Sequence, residues 1–125
     1  MRKFYICEHC GNIVEKIDDK GVPVFCCGQK MTELVPGSVE ASTEKHIPVA
    51  RVEGSSVTVE VGSVAHPMTA EHYIPWVYLE TSLGIQRKHL SPDAAPVAVF
   101  ALSEGEVPVA VYAYCNLHGL WKAEF

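Results

Sequence analysis

Four cysteines fall within the first 27 residues, as a C-x-x-C pair at Cys7 and Cys10 and as the adjacent pair Cys26 and Cys27. Each pair is followed at once by a glycine, Gly11 and Gly28. A C-x-x-C turn aims two sulfurs at one point while the amides that follow turn back toward sulfur. The glycine after it permits the positive-φ backbone that so tight a turn needs. The segment ending at Pro36 is short of core residues and too small to fold on buried apolar surface alone, so it needs a staple. Four thiolates suit a tetrahedral zinc or iron site. A pair of disulfides is the plainer reading, and the awkwardness of bridging neighbouring cysteines counts against it. Zinc ribbons usually use two C-x-x-C knuckles. An adjacent Cys-Cys pair pulls the sulfur–metal–sulfur angles from ideal, a distortion that a redox iron tolerates. His9, between the first two cysteines, reads as a solvated surface residue.

Redox compartment bears on the same choice. The start, "MRKFYICEHC", has a positive flank but no apolar signal-peptide core, and no apolar run in the chain is long enough to span a membrane. Five cysteines without an export signal favour metal or redox chemistry in the cytoplasm over disulfides.

Composition divides the chain near Pro36, with "LVPGS" as the linker. Residues 1–36 hold five Lys/Arg and five Asp/Glu, whereas residues 37–125 hold five and ten, so the net charge of −5 belongs to the second part. That balance argues against a nucleic-acid binder working by phosphate neutralisation. The second part reads as short strands between turns. "SVTVEVG" alternates, with Val57, Val59 and Val61 on one face. "WVYLET" and "GIQRKHL" flank a Ser82–Gly84 turn as a hairpin, and "PVAVFAL" and "PVAVYAY" are β-rich runs joined across "SEGE". No helical period emerges. The expected fold is all-β: a small metal-stapled domain at 1–36, then a β-sandwich or barrel at 37–125.

The fifth cysteine stands in "YCNLHGLW", three residues before a histidine. The second part carries five histidines. His46 ends "EKH"; His66 and His72 lie in "HPMTAEHYI" between two expected strands; His118 follows Cys115. Loops at one end of a sandwich cluster in space, so these segments can converge on one ion. His89, at a basic strand end, is left out. Met68 reads as packing rather than ligand, as do Trp76, Trp121, Tyr112 and Tyr114, and Pro67 stiffens the loop. Five donors overfill zinc. Blue copper uses two histidines, one cysteine and a weak axial group, and would leave two histidines idle with no methionine after His118. Iron accepts five or six ligands, so five protein donors leave one position open to a small molecule. The residues thus favour an iron site with a vacancy.

These segments together resemble the desulfoferrodoxin family, the two-iron superoxide reductases. Cys7, Cys10, Cys26 and Cys27 are similar to the desulforedoxin-type iron site. "EKH" at 44–46, "HPMTAEHYI" at 66–74 and "CNLHGLW" at 115–121 resemble the three segments of the reductase centre. The resemblance spans the chain and implies a small desulforedoxin-like domain on an immunoglobulin-like β-barrel, as a homodimer with two irons per chain. It implies that His46, His66, His72 and His118 ring a ferrous ion, with Cys115 axial and the opposite position open to superoxide. Glu44 is similar to the glutamate that fills that position in the oxidised resting state, and Lys45 to the lysine that attracts the anion. The N-terminal iron would be a one-electron centre not essential to the reduction, and a rubredoxin-like donor would re-reduce the catalytic site.

The implied reaction is superoxide plus one electron plus two protons giving hydrogen peroxide. Four neutral imidazoles and one thiolate leave ferrous iron with net +1, attractive to an anion, and the thiolate pushes electron density along its axis as in haem–thiolate proteins. The acidic second part opposes an anionic substrate overall, so Lys45 and the metal must create a local positive patch. Three other readings predict different behaviour. A zinc-stabilised interaction module would be colourless. A copper carrier would be blue and without turnover. An iron electron carrier with a closed second site would not consume superoxide.

Overall fold

The computed structural model describes residues 2–125. Twelve strands and one short helix make up its regular structure. In the N-terminal part, β1 (Phe4–Ile6) is flanked by β2 (Ile13–Glu15) and β5 (Thr32–Leu34), and β3 (Phe25–Cys26) pairs with β4 (Gln29–Lys30) as a separate hairpin. After helix α1 (Thr43–His46) come β6 (Pro48–Glu53), β7 (Ser56–Val61), β8 (Trp76–Thr81), β9 (Gly84–His89), β10 (Val97–Ala101), β11 (Pro108–Cys115) and β12 (Gly119–Glu124). These seven strands form two antiparallel sheets, ordered β10-β7-β6 and β12-β11-β8-β9. The architecture is an immunoglobulin-like sandwich with a small four-cysteine β domain attached.

Period-two alternation builds the core. Val57, Val59 and Val61 are fully buried, as their spacing predicts, and meet Val77, Leu79, Phe100, Val111, Ala113 and Cys115 between the sheets. The expected β8–β9 hairpin forms, with Thr81 opposite Gly84. The "PVAVFAL" and "PVAVYAY" runs become β10 and β11 but do not pair: β10 joins β7 and β11 joins β8 and β12, so "SEGE" crosses between sheets. Gln86 donates to the Ala101 carbonyl at 2.7 Å and Lys88 to that of Val99, closing the seam between edge strands β9 and β10. Residues before "IPVA" form one helical turn, too short to produce a helical period, closed by the Ile47 N–H on the Thr43 carbonyl at 2.9 Å.

The central strands of the larger sheet, β8 and β11, are buried on both faces, which is why "WVYLET" and "PVAVYAY" read as nearly continuous apolar runs. Trp76, Tyr78, Tyr112 and Tyr114 point out of the sandwich, yet Phe4 of β1 covers them. Phe4 lies 5.5 Å from Trp76, 5.0 Å from Tyr78 and 5.5 Å from Tyr112, ring centre to ring centre. Fully burying a ring of this size contributes about 1.5–3 kcal/mol. Arg2 Nε binds Glu80 Oε2 at 3.1 Å, and the Tyr78 hydroxyl donates to Glu15 at 2.8 Å. The N-terminal unit therefore draws its apolar core from the sandwich and does not depend on a metal alone. No helix among the described residues is long and apolar enough to cross a membrane.

Register gathers the loops that carry histidine. Pro48 pairs with Val61, Tyr114 with Trp76, and Cys115 with Gly119. Hence the start of β6, the end of β7, the start of β8 and the end of β11 share one end of the sandwich.

Candidate metal centres

In the N-terminal unit the four sulfurs lie within 4.8 Å of one another. Cys10 Sγ is 3.6 Å from Cys26 Sγ, which is 4.0 Å from Cys27 Sγ. A tetrahedral ion with sulfur bonds of about 2.3 Å needs sulfur pairs about 3.8 Å apart. Such spacing fits an ion, and no disulfide is formed: all five cysteines are free. The adjacent pair is solved by backbone conformation. Cys26 pairs with Gln29, so Cys27 and Gly28 are the two turn residues of a hairpin, with φ of +53° and +72°. Positive φ at both positions is the type I′ pattern. It lets successive side chains approach the same point. At the other pair, Gly11 has φ +83°, the Cys10 N–H reaches Cys7 Sγ at 3.4 Å, and the Asn12 N–H reaches Cys10 Sγ at 3.4 Å. The Cys10 amide draws the Cys7 thiol down to about 6, whereas the neighbouring Cys10 thiol pushes Cys27 up to about 12. Four crowded thiols cannot all ionise without a cation to offset them. His9 is exposed, as expected.

At the loop end of the sandwich, four imidazoles form a ring. Ring centres are 4.6 Å apart for His46–His66 and His66–His72, 5.1 Å for His72–His118 and 5.0 Å for His118–His46. The His46–His72 diagonal is 6.4 Å, and each ring stands at 75–84° to its neighbours, so the four form a near-square propeller. Cys115, fully buried at the end of β11, places Sγ 3.8 Å from His118 Nδ1. Burial raises its thiol, so the thiolate needs a cation beside it.

Hydrogen bonding shows what this ring can hold. His46 Nδ1 donates to the Ser42 carbonyl and His66 Nδ1 to the Pro67 carbonyl, both at 2.7 Å. Carbonyls only accept, so each Nε2 of the neutral ring carries a bare lone pair. Burial favours the neutral form of three of them: it lowers His66 to about 4 and also lowers His46 and His72. Yet His46 Nε2 faces His66 Nε2 at 3.2 Å, and His118 Nδ1 at 3.2 Å. The two Nε2 lone pairs, this close with no proton between them, repel unless a cation joins them. The buried Nε2 of His72 has no hydrogen-bond partner at all. A square with a 3.2 Å edge has its centre about 2.3 Å from each corner, near the ~2.0–2.1 Å of an imidazole–metal bond.

Neighbours hold the ring in place. Trp121 donates Nε1–H to the His118 carbonyl at 3.1 Å and lays its ring 4.9 Å from His46. Asn116 joins two loops: its Oδ1 accepts the Tyr73 N–H at 2.9 Å and its Nδ2 donates to the Glu71 carbonyl at 3.0 Å. The Val64 N–H and Ser63 hydroxyl bind the Glu44 carbonyl at 2.9 and 3.2 Å, fixing α1 against the β7–β8 loop. Lys45 is half-buried, and its charge helps to lower His46 and His72; Glu44 is exposed. Met68 packs on the core with Sδ 3.4 Å from the Ile74 N–H, and His89 is exposed, away from the ring. From sequence, Trp121 reads as packing and Asn116 only as a turn residue of its loop. Their support of the ring has no signature beyond standing in the same loop as Cys115 and His118.

Fold and donor sets together define a two-site metalloprotein, with a four-sulfur site in a small domain and a histidine–cysteine site on an immunoglobulin-like sandwich. The desulfoferrodoxin family matches residues 38–124, and the desulfoferrodoxin N-terminal domain matches residues 2–34. A desulfoferrodoxin from Syntrophotalea carbinolica is 46% identical over 120 residues, covering 96% of this chain and 94% of that protein. The solved superoxide reductase from Treponema pallidum is 42% identical and superposes with a TM-score of 0.85, covering 99% of both chains. A superoxide reductase from Pyrococcus horikoshii is 35% identical over 98 residues, covering 65% of this chain and 85% of that protein. This chain belongs to the desulfoferrodoxin family. The family binds two irons, and the chain carries a donor set for each.

Proposed function

We propose that this chain is a superoxide reductase, an oxidoreductase that converts superoxide, one electron and two protons to hydrogen peroxide. The observation that carries the reading is the ring of four imidazoles in which His46 Nε2 lies 3.2 Å from both His66 Nε2 and His118 Nδ1, beside the buried Cys115 thiol. His46, His66, His72, His118 and Cys115 would hold the catalytic iron, and Cys7, Cys10, Cys26 and Cys27 a second iron. Bound iron supplies the electron for superoxide. The Ser42 and Pro67 carbonyls keep the protons of His46 and His66 on Nδ1, so that Nε2 stays free to bind. The Cys115 thiolate donates electron density to the site and favours giving up that electron. Lys45, whose charge reaches His46 and His72, draws the anion toward a chain of net charge −5. Glu44, exposed next to Lys45 on α1, closes the site in the oxidised resting state.

Family membership supports the rest of the reading. The chain divides after Pro36, acts as a cytoplasmic homodimer, and is re-reduced by an external rubredoxin-like carrier. The test is metal content together with the visible spectrum of the protein as purified, before and after superoxide is added. Two irons per chain, with a sulfur-to-iron band that grows as superoxide disappears, is the expected result. Zinc in place of iron with no spectral change would leave a metal-stapled β protein. Two irons without superoxide consumption would leave an electron carrier.

A further inference from the structure

Directly behind the donor set lies a stacked pair of oxidisable rings. Alternation along β11 turns Cys115 into the sandwich and Tyr114, its neighbour in sequence, to the opposite face. There the Tyr114 ring lies on Trp76, with centres 5.5 Å apart and planes within 9°. Trp76 meets Phe4, which in turn meets Tyr78 and Tyr112, so the pair opens onto a contiguous aromatic cluster. Packing accounts for rings at these positions, but a phenylalanine at 114 would pack equally well. Trp121 also lies near the donor set, but its ring neighbour is His46, a member of that set, and it leads to no second oxidisable ring.

We propose that Tyr114, backed by the stacked Trp76, is a reserve electron donor that protects the Cys115 sulfur from hydrogen peroxide. The proposal rests on the superoxide reductase reading, because that reaction releases peroxide at the ion that Cys115 would bind. Peroxide that returns to the ferrous site takes up two electrons and two protons as its O–O bond breaks to give two waters. The ferrous ion gives one electron. Tyr114 would give the second and release its hydroxyl proton to solvent, leaving a neutral tyrosyl radical, and both protons taken up by peroxide would come from solvent. Trp76, in contact through its π face, exchanges an electron with that radical and moves it away from sulfur. Without this donor the nearest electron-rich group is the thiolate, whose successive oxidation ends in irreversible sulfinic and sulfonic acids.

The test uses the iron-loaded full chain, reduced and then mixed with hydrogen peroxide. Freeze-quench electron paramagnetic resonance should show an organic radical, narrowed when the tyrosine rings are deuterated. Tyr114→Phe, which keeps the ring stack, should lose that signal. Peptide mass spectrometry should find Cys115 sulfinic and sulfonic acid formed several-fold faster in this variant. The absence of any radical in the parent protein would overturn the proposal, as would an unchanged radical in Tyr114→Phe or equal rates of Cys115 oxidation. Deuteration of the parent protein shows whether the radical is on a tyrosine, and Tyr114→Phe, compared at equal iron content, assigns it to Tyr114 among the five tyrosines; a parent radical that does not narrow would also overturn the proposal. Superoxide consumption measured on the same preparation separates failure of this proposal from failure of the reductase reading.

Discussion

Asn116→Ala should weaken iron binding at the histidine–cysteine site while leaving the sandwich intact. The substitution removes two hydrogen bonds, from the Tyr73 N–H to Oδ1 at 2.9 Å and from Nδ2 to the Glu71 carbonyl at 3.0 Å. Each contributes about 1 kcal/mol net. Glu71 is exposed and Tyr73 half-buried, so water recovers part of the loss, leaving about 1–2 kcal/mol. The backbone bond from the Asn116 N–H to the Tyr73 carbonyl at 3.2 Å survives. None of the lost bonds belongs to a sheet, so the cost falls on how the His72 loop is held against the turn carrying Cys115 and His118. Metal binding must then reorder that loop, and 1–2 kcal/mol corresponds to about 5–30-fold weaker binding. That overlaps the 10–100-fold range common for groups that support metal ligands. Competition with a chromophoric chelator measures iron affinity at both sites, and the four-sulfur site serves as internal control. The expected result is roughly tenfold weaker binding at the histidine–cysteine site, with the denaturation midpoint of the metal-free protein nearly unchanged. Unaltered affinity, or an equal loss at both sites, would refute the argument that Asn116 acts by joining these two loops.

Cys115→Ser should abolish the sulfur-to-iron absorption of the oxidised enzyme and most superoxide reduction, while the four-cysteine site stays coloured; a surviving band would remove Cys115 from the donor set. Lys45→Ala should slow superoxide association and flatten its salt dependence in stopped-flow kinetics, and an unchanged salt slope would argue against steering by this residue. At Gly62 an added Cβ would lie 2.6 Å from the Glu44 carbonyl oxygen and 2.9 Å from that of Ile47. Gly62→Ala must therefore push α1 and His46 outward, at about 1–3 kcal/mol, and a thermal midpoint and iron content equal to those of the parent would contradict this. The metal-free protein should lose stability as pH falls from about 6.5 to about 4. Across that window the unfolded chain takes up protons that buried His66, lowered to about 4, refuses, with His46 and His72 acting in the same sense. Denaturant midpoints measured across that range check the sign, and a midpoint that rises on acidification would contradict it.

The readability of this chain follows physical scale. The Val57, Val59 and Val61 alternation is local, so it named a strand and its buried face correctly. The donors were legible because imidazole and thiol side chains are few, and because loops at one end of a sandwich have nowhere else to converge. What escaped depends on pairing between distant segments. The one-turn α1 is too short to have a period. The separation of β10 from β11 into different sheets follows from β7 and β8 competing for them as partners. Trp76, Tyr112 and Tyr114 read as packing, but what they pack against was hidden, since Phe4 comes from a segment that looked too poor in apolar residues to contribute a core. The Cys27–Gly28 turn was half visible: the glycine signalled positive φ, but placing a cysteine there as well goes against its own preference, and the convergence of four sulfurs gives the reason.

β11 joins the two halves of the molecule. Its inward residues, Val111, Ala113 and Cys115, run from the core into the donor set, while its outward residues, Tyr112 and Tyr114, carry the aromatic face on which the N-terminal unit sits. Left uncovered, Trp76, Tyr78, Tyr112 and Tyr114 would form a contiguous apolar patch of the kind soluble domains avoid. Phe4 covers that patch, and the Arg2–Glu80 and Tyr78–Glu15 contacts fix the orientation of the cover. The N-terminal unit thus has a mechanical task that does not depend on electron transfer. It packs, from outside, on the strand whose last residue is the buried Cys115.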